Sequence, residues 1–109
     1  MGRKKKQVTV TIPSVSLVLL GYTTKTAAER DAVDFQSETV FRYRGTLFPT
    51  PGSFNVTPKI SDIKVREITG GRMGTKWAID FTVHAEGARA IEWLSKVTER
   101  VNAKNGITL

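Results

Sequence analysis

The sequence predicts a single α+β domain: an antiparallel sheet of about five or six strands, with an N-terminal hairpin and one C-terminal helix packed on one sheet face. Three observations point to it. Apolar and polar residues alternate in several stretches, the two-residue period of a half-buried strand. Proline and glycine clusters break those stretches as turns. Only the segment from Ala90 to Val101 carries a convincing apolar stripe at helical spacing. A length of 109 residues suits one domain with a small core.

Val8, Val10 and Ile12 alternate with Gln7, Thr9 and Thr11, so the first strand ends at Pro13-Ser14. Val15 to Tyr22 is apolar on both faces and reads as the second arm of the hairpin, buried on both sides or part of an interface. Thr26-Ala27-Ala28-Glu29 has the form of a capping box. It predicts a short helix over 27–35 with Ala28, Ala32 and Phe35 on one side. Glu38 to Phe48 has strand composition, and Pro49, Pro51 and Gly52 turn the chain. Ser53 to Val56 reads as the start of another strand, which Pro58 confines to an edge or a bend. Ile60 to Thr69 and Thr75 to Ala85 are the clearest strands, and Glu86-Gly87 closes the second. In the final helix Ala90, Ile91, Leu94, Val97 and Val101 form the stripe, Glu92 and Lys96 are an i,i+4 pair, and Asn105-Gly106 is the stop.

Charge is the strongest functional signal. The chain has 17 basic and 10 acidic residues, a formal net charge of +7. Arg3, Lys4, Lys5 and Lys6 supply four of these, so residues 1–7 read as a basic arm on a domain spanning 8–109. Such an arm fits nucleic acid or another polyanion. There is no cysteine, which excludes disulfides, thiolate metal sites and a cysteine nucleophile. The unbroken apolar run from Leu17 to Leu20 is too short for a signal peptide core or a membrane span, so the expected location is cytoplasmic, with no membrane contact.

The pleat sends alternate side chains to opposite faces. Trp77, Ile79, Phe81 and Val83 then oppose Lys76, Asp80, Thr82 and His84. Ile63 and Val65 oppose Lys64 and Arg66, and Phe41 and Tyr43 oppose Arg42 and Arg44. The predicted basic face therefore carries Arg42, Arg44, Lys64, Arg66 and Lys76, suited to phosphate contacts across a broad shallow surface. Trp77, Phe41 and Tyr43 read as core. Tyr22, Phe48, Phe54 and Trp93 are candidates for base stacking from loops or strand ends.

The stretch ITGGRMGTKW, Ile68 to Trp77, has the glycines of a phosphate loop. It does not match the pattern G-x-x-x-x-G-K-[ST], and no helix is expected after it, as a dinucleotide site requires. It reads as a hairpin turn with Arg72 at its tip, the end of the basic surface. His84 is the one histidine. Four strand residues separate it from Asp80, roughly 13 Å at ~3.3 Å each, so the two make no catalytic pair. No enzyme activity, cofactor, metal or small-molecule substrate is expected.

These residues predict a non-enzymatic RNA- or DNA-binding protein that forms a homodimer or larger homo-oligomer. A viral coat protein, located in the virion, is the alternative. The layout of N-terminal hairpin, antiparallel sheet, basic sheet face and C-terminal helix resembles loosely the coat proteins of small RNA phages. It is also similar to small Pur-like single-strand binders. No motif ties the chain to either family. An inhibitor or adaptor that binds another protein is the third reading.

Overall fold

The computed structural model describes residues 12–37, 40–43, 47–68 and 76–106, with the backbone alone at Arg42 and Tyr43. The elements run β1 (Ser14–Tyr22), α1 (Lys25–Phe35), α2 (Val40–Tyr43), α3 (Pro51–Phe54), β2 (Thr57–Glu67), β3 (Trp77–Glu86) and α4 (Ala90–Lys104). The α+β class holds. The expected five or six strands do not: the described residues form a three-stranded antiparallel sheet in the order β1-β3-β2. The arm at residues 1–7 lies outside the described residues, as does the strand expected over 7–12 except for Ile12, which is exposed and belongs to no strand.

Two of the expected strands are helical. Val40 and Phe41 fall in α2, where Val40 is buried and the Phe41 ring meets Phe48 edge-on at 5.1 Å. Adjacent residues can both reach one core from a helical turn, whereas a strand sends them to opposite faces. Aromatic burial against Trp93 and Phe48 outweighs the strand propensity of this segment. Residues 51–54 form α3, with Pro51 in the first turn, where its missing N–H costs nothing. Asn55 ends α3 in the left-handed conformation, φ 53°.

The helix α1 begins earlier than the capping box suggested. Thr24 stays extended, and its hydroxyl accepts a hydrogen bond from the Ala27 N–H at 3.1 Å. Glu29 instead lies 4.0 Å from Lys25, one turn back. As expected, α1 buries Ala28, Ala32 and Phe35.

The stripe of α4 is Ala90, Trp93, Leu94, Val97 and Val101. Ile91 was expected in it, but its side chain points outward and is 70% exposed. Trp93 takes the inward position and was not expected there. Its indole N–H donates to the Pro49 carbonyl at 2.8 Å, which satisfies the one polar group of a fully buried ring. Phe35, Leu17, Leu19, Ile79, Phe81, Val83 and the helix residues share one core. The helices therefore cover a single face of the sheet.

The strand β1 was expected to bury both faces or to lie in an interface. Within the chain it is not buried on both faces but alternates: Leu17 and Leu19 point into the core, while Ser14 and Ser16 are exposed. Its outer edge is closed by the Asn105 amide, at the expected end of α4. That amide accepts from the Leu20 N–H at 2.9 Å and donates to the Val18 carbonyl at 2.8 Å, as a neighbouring strand would.

The register of β2 against β3 shifts between Ser61 and Lys64. Asp62 sits there with φ 53°, a left-handed conformation that Asp tolerates better than most residues. The extra residue is a β-bulge. It keeps Ile60, Ile63 and Val65 on the core side although their spacing is not strictly two.

Candidate nucleic-acid interface

The strand pairing lays out the sheet face opposite the helices as rungs, because directly paired residues point the same way. Ser14, His84 and Lys59 form one rung, and Ser16, Thr82 and Ser61 the next. Val18, Asp80 and Lys64 form the third, and Arg66 lies opposite Ala78 in the fourth. Beyond it, Lys76 continues both ladders: its N–H donates to the Tyr22 carbonyl at 3.0 Å, and its carbonyl accepts from the Ile68 N–H at 2.8 Å.

Basic residues thus run along β2, with Lys59, Lys64 and Arg66 in one line and Lys76 at its end. Hydroxyl groups occupy the β1 side and the second rung. Arg66 donates from Nε to Asp80 Oδ2 at 2.6 Å, so its charge is balanced within the sheet. Among the described residues, Lys59, Lys64 and Lys76 form no ion pair, and all three are exposed. Glu86 stands at the far end of β3, and Asp62 at the bulge.

Of the residues expected to touch nucleic acid, the structure brings together Lys64, Arg66 and Lys76. Arg42 belongs to α2, in the helical layer, so the third basic strand does not exist. Arg3, Lys4, Lys5, Lys6, Arg44 and Arg72 lie outside the described residues, as does the turn at 69–75. Lys59 was missed. The three-residue step from Ile60 to Ile63 was the available signal, since in a strand it requires a bulge, and a bulge brings Lys59 onto the same side as Lys64.

The aromatic candidates are also corrected. Phe48, Phe54 and Trp93 are buried in the core, and the Tyr22 hydroxyl donates to Asp31 at 2.7 Å. Trp77 pairs with Tyr22 on the core side, with the Lys25 ammonium 5.8 Å from its ring centre. Among the described residues, no Phe, Tyr or Trp ring projects from the open face; the His84 imidazole does.

Hydrogen bonds order the polar groups that do project. Ser16 Oγ and Thr82 Oγ1 share one at 3.1 Å, and Ser61 Oγ and His84 Nε2 another at 2.7 Å. Lys59, Ser61 and His84 also line a cleft of about 670 Å³. Each hydroxyl has one donor and two acceptor sites, so such pairs keep capacity for a ligand. Among the described residues, no three His, Asp or Glu side chains gather as metal ligands, and no helix is long and apolar enough to cross a membrane. No family model, curated protein or solved structure matches the chain.

Proposed function

We propose that this chain is a non-enzymatic nucleic-acid-binding protein that grips phosphates with the open face of its sheet and with its basic arm. The observation that carries the reading is the line of cations along β2 on a face that no helix among the described residues covers. Lys59 and Lys64 have no carboxylate partner to give up, so phosphate contact breaks no ion pair. Arg66 already shares its charge with Asp80 through Nε, and contributes less. With the His84 imidazole as its one aromatic group among the described residues, the surface favours contacts to the backbone over stacking on bases. A cytoplasmic location goes with this reading.

The test is a double charge reversal, Lys59→Glu with Lys64→Glu, measured by equilibrium binding over a range of salt. Affinity falls by about tenfold or more, and the slope of log K against log salt drops by about 1.8, close to 0.9 for each phosphate lost. The melting temperature stays near that of the parent, because both residues are exposed and unpaired. Undiminished binding by the variant at moderate salt sinks the proposal.

A further inference from the structure

Resting on that reading, we infer that the preferred ligand is double-stranded RNA, recognised through its ribose hydroxyls. Single-stranded nucleic acids are held largely by stacking bases on aromatic rings. Among the described residues this face presents no Phe, Tyr or Trp, and its imidazole, His84, is held by a hydrogen bond to Ser61. A duplex keeps its bases stacked internally and needs no such ring.

The hydroxyl row then separates RNA from DNA. Ser16, Thr82 and Ser61 stand level across all three strands, and His84 is hydrogen-bonded to Ser61 in the neighbouring rung. These groups both donate and accept, as a ribose 2′-hydroxyl does. They lie directly beside Lys59 and Lys64, so a sugar seated on the row has its phosphates over β2. The minor groove of an A-form duplex is wide and shallow and displays 2′-hydroxyls at its surface. An open sheet face can meet it without inserting an element. The minor groove of B-form DNA is narrow and offers no such hydroxyl.

The experiment compares one sequence as an RNA duplex, a DNA duplex, single-stranded RNA and a duplex with 2′-fluoro sugars, all at the same salt. The parent protein binds the RNA duplex about tenfold tighter than the other three, the scale of one net hydrogen bond. The triple variant Ser16→Ala, Ser61→Ala, Thr82→Val loses that preference and keeps the parent's salt slope. Equal binding to duplex DNA or to single-stranded RNA overturns the inference. So does equal binding of the 2′-fluoro duplex, which requires no variant to fold, or a preference that survives in the triple variant. If no nucleic acid binds at all, the phosphate-binding reading fails and this one with it, an outcome distinct from unselective binding.

Discussion

Arg89 meets three partners at once. Its guanidinium donates to both Glu92 oxygens at 2.9 and 3.0 Å, reaches the Ser53 carbonyl at 3.3 Å, and lies 4.4 Å from the Phe54 ring centre. One exposed side chain thus ties α3 to the start of α4. The hydrogen bond from Arg89 is the main reason the Glu92 carboxyl titrates below the ordinary glutamate value, with the attraction of Arg89 and Lys96 adding to it. The same hydrogen bond raises the Arg89 guanidinium. Because the folded value for Glu92 is the lower one, its stabilising contribution is full above the unfolded glutamate value of about 4.3 and disappears as pH falls through the folded value. Replacing Arg89 with Ala moves the Glu92 titration upward in a carboxyl-carbon NMR titration. High salt shrinks the difference, since the pair is open to solvent. A titration that stays put in the Arg89→Ala protein contradicts the assignment.

At the scale of the element, the bulge in β2 decides which side chains reach the open face. A strand has a period of two, so adding or removing one residue moves everything beyond it to the other side. Asp62 is that added residue, and its left-handed backbone is what lets two residues occupy the space of one. Glycine adopts this conformation without the Cβ penalty but loses more entropy on folding. The Asp62→Gly protein is therefore expected within about 1 kcal/mol of the parent in urea melts. Deleting Asp62 leaves Ile60, Ser61, Ile63, Lys64 and Val65 in strict alternation, so the deletion protein is expected to pair with β3 without a bulge and to fold with the same faces. A deletion protein that does not fold would mean that Asp62 is not the added residue. Gly87 is a second constrained point. With φ 144°, it brings the turn after β3 so close to α3 that an added Cβ would lie 2.5 Å from the Asn55 carbonyl oxygen.

At the scale of the whole molecule, the apolar core and the β2 lysines lie on opposite sides of the sheet. All the large fully buried side chains lie between the sheet and the helical layer, and the unpaired lysines of β2 project from the other side. The arm adds four cations within residues 3–6. If all four contact phosphate, a chain without residues 1–7 shows a salt slope smaller by about 3.6. The slope comes from binding constants at several salt concentrations, and an unchanged value means that the arm does not contact the nucleic acid.

The amino-acid sequence by itself determined the features that depend on neighbours along the chain. The two-residue period marked β2 and β3, and the apolar spacing marked α4. Asn105 marked its end, and the core and open faces of β3 were assigned correctly. It also placed Lys64, Arg66 and Lys76 together. Only the tertiary structure decided the rest. Residues 40–43 and 51–54 became helical because their burial depends on distant Trp93 and Phe48 and on backbone turns, not on local propensity. Trp93 displaced Ile91 from the stripe because the position of the sheet selects which arc of α4 is buried. Arg42 left the basic face when its strand became a helix, and Lys59 joined it through a one-residue bulge. A face of a sheet is shared among strands far apart in sequence, so its membership depends on register, which local patterns specify only in part.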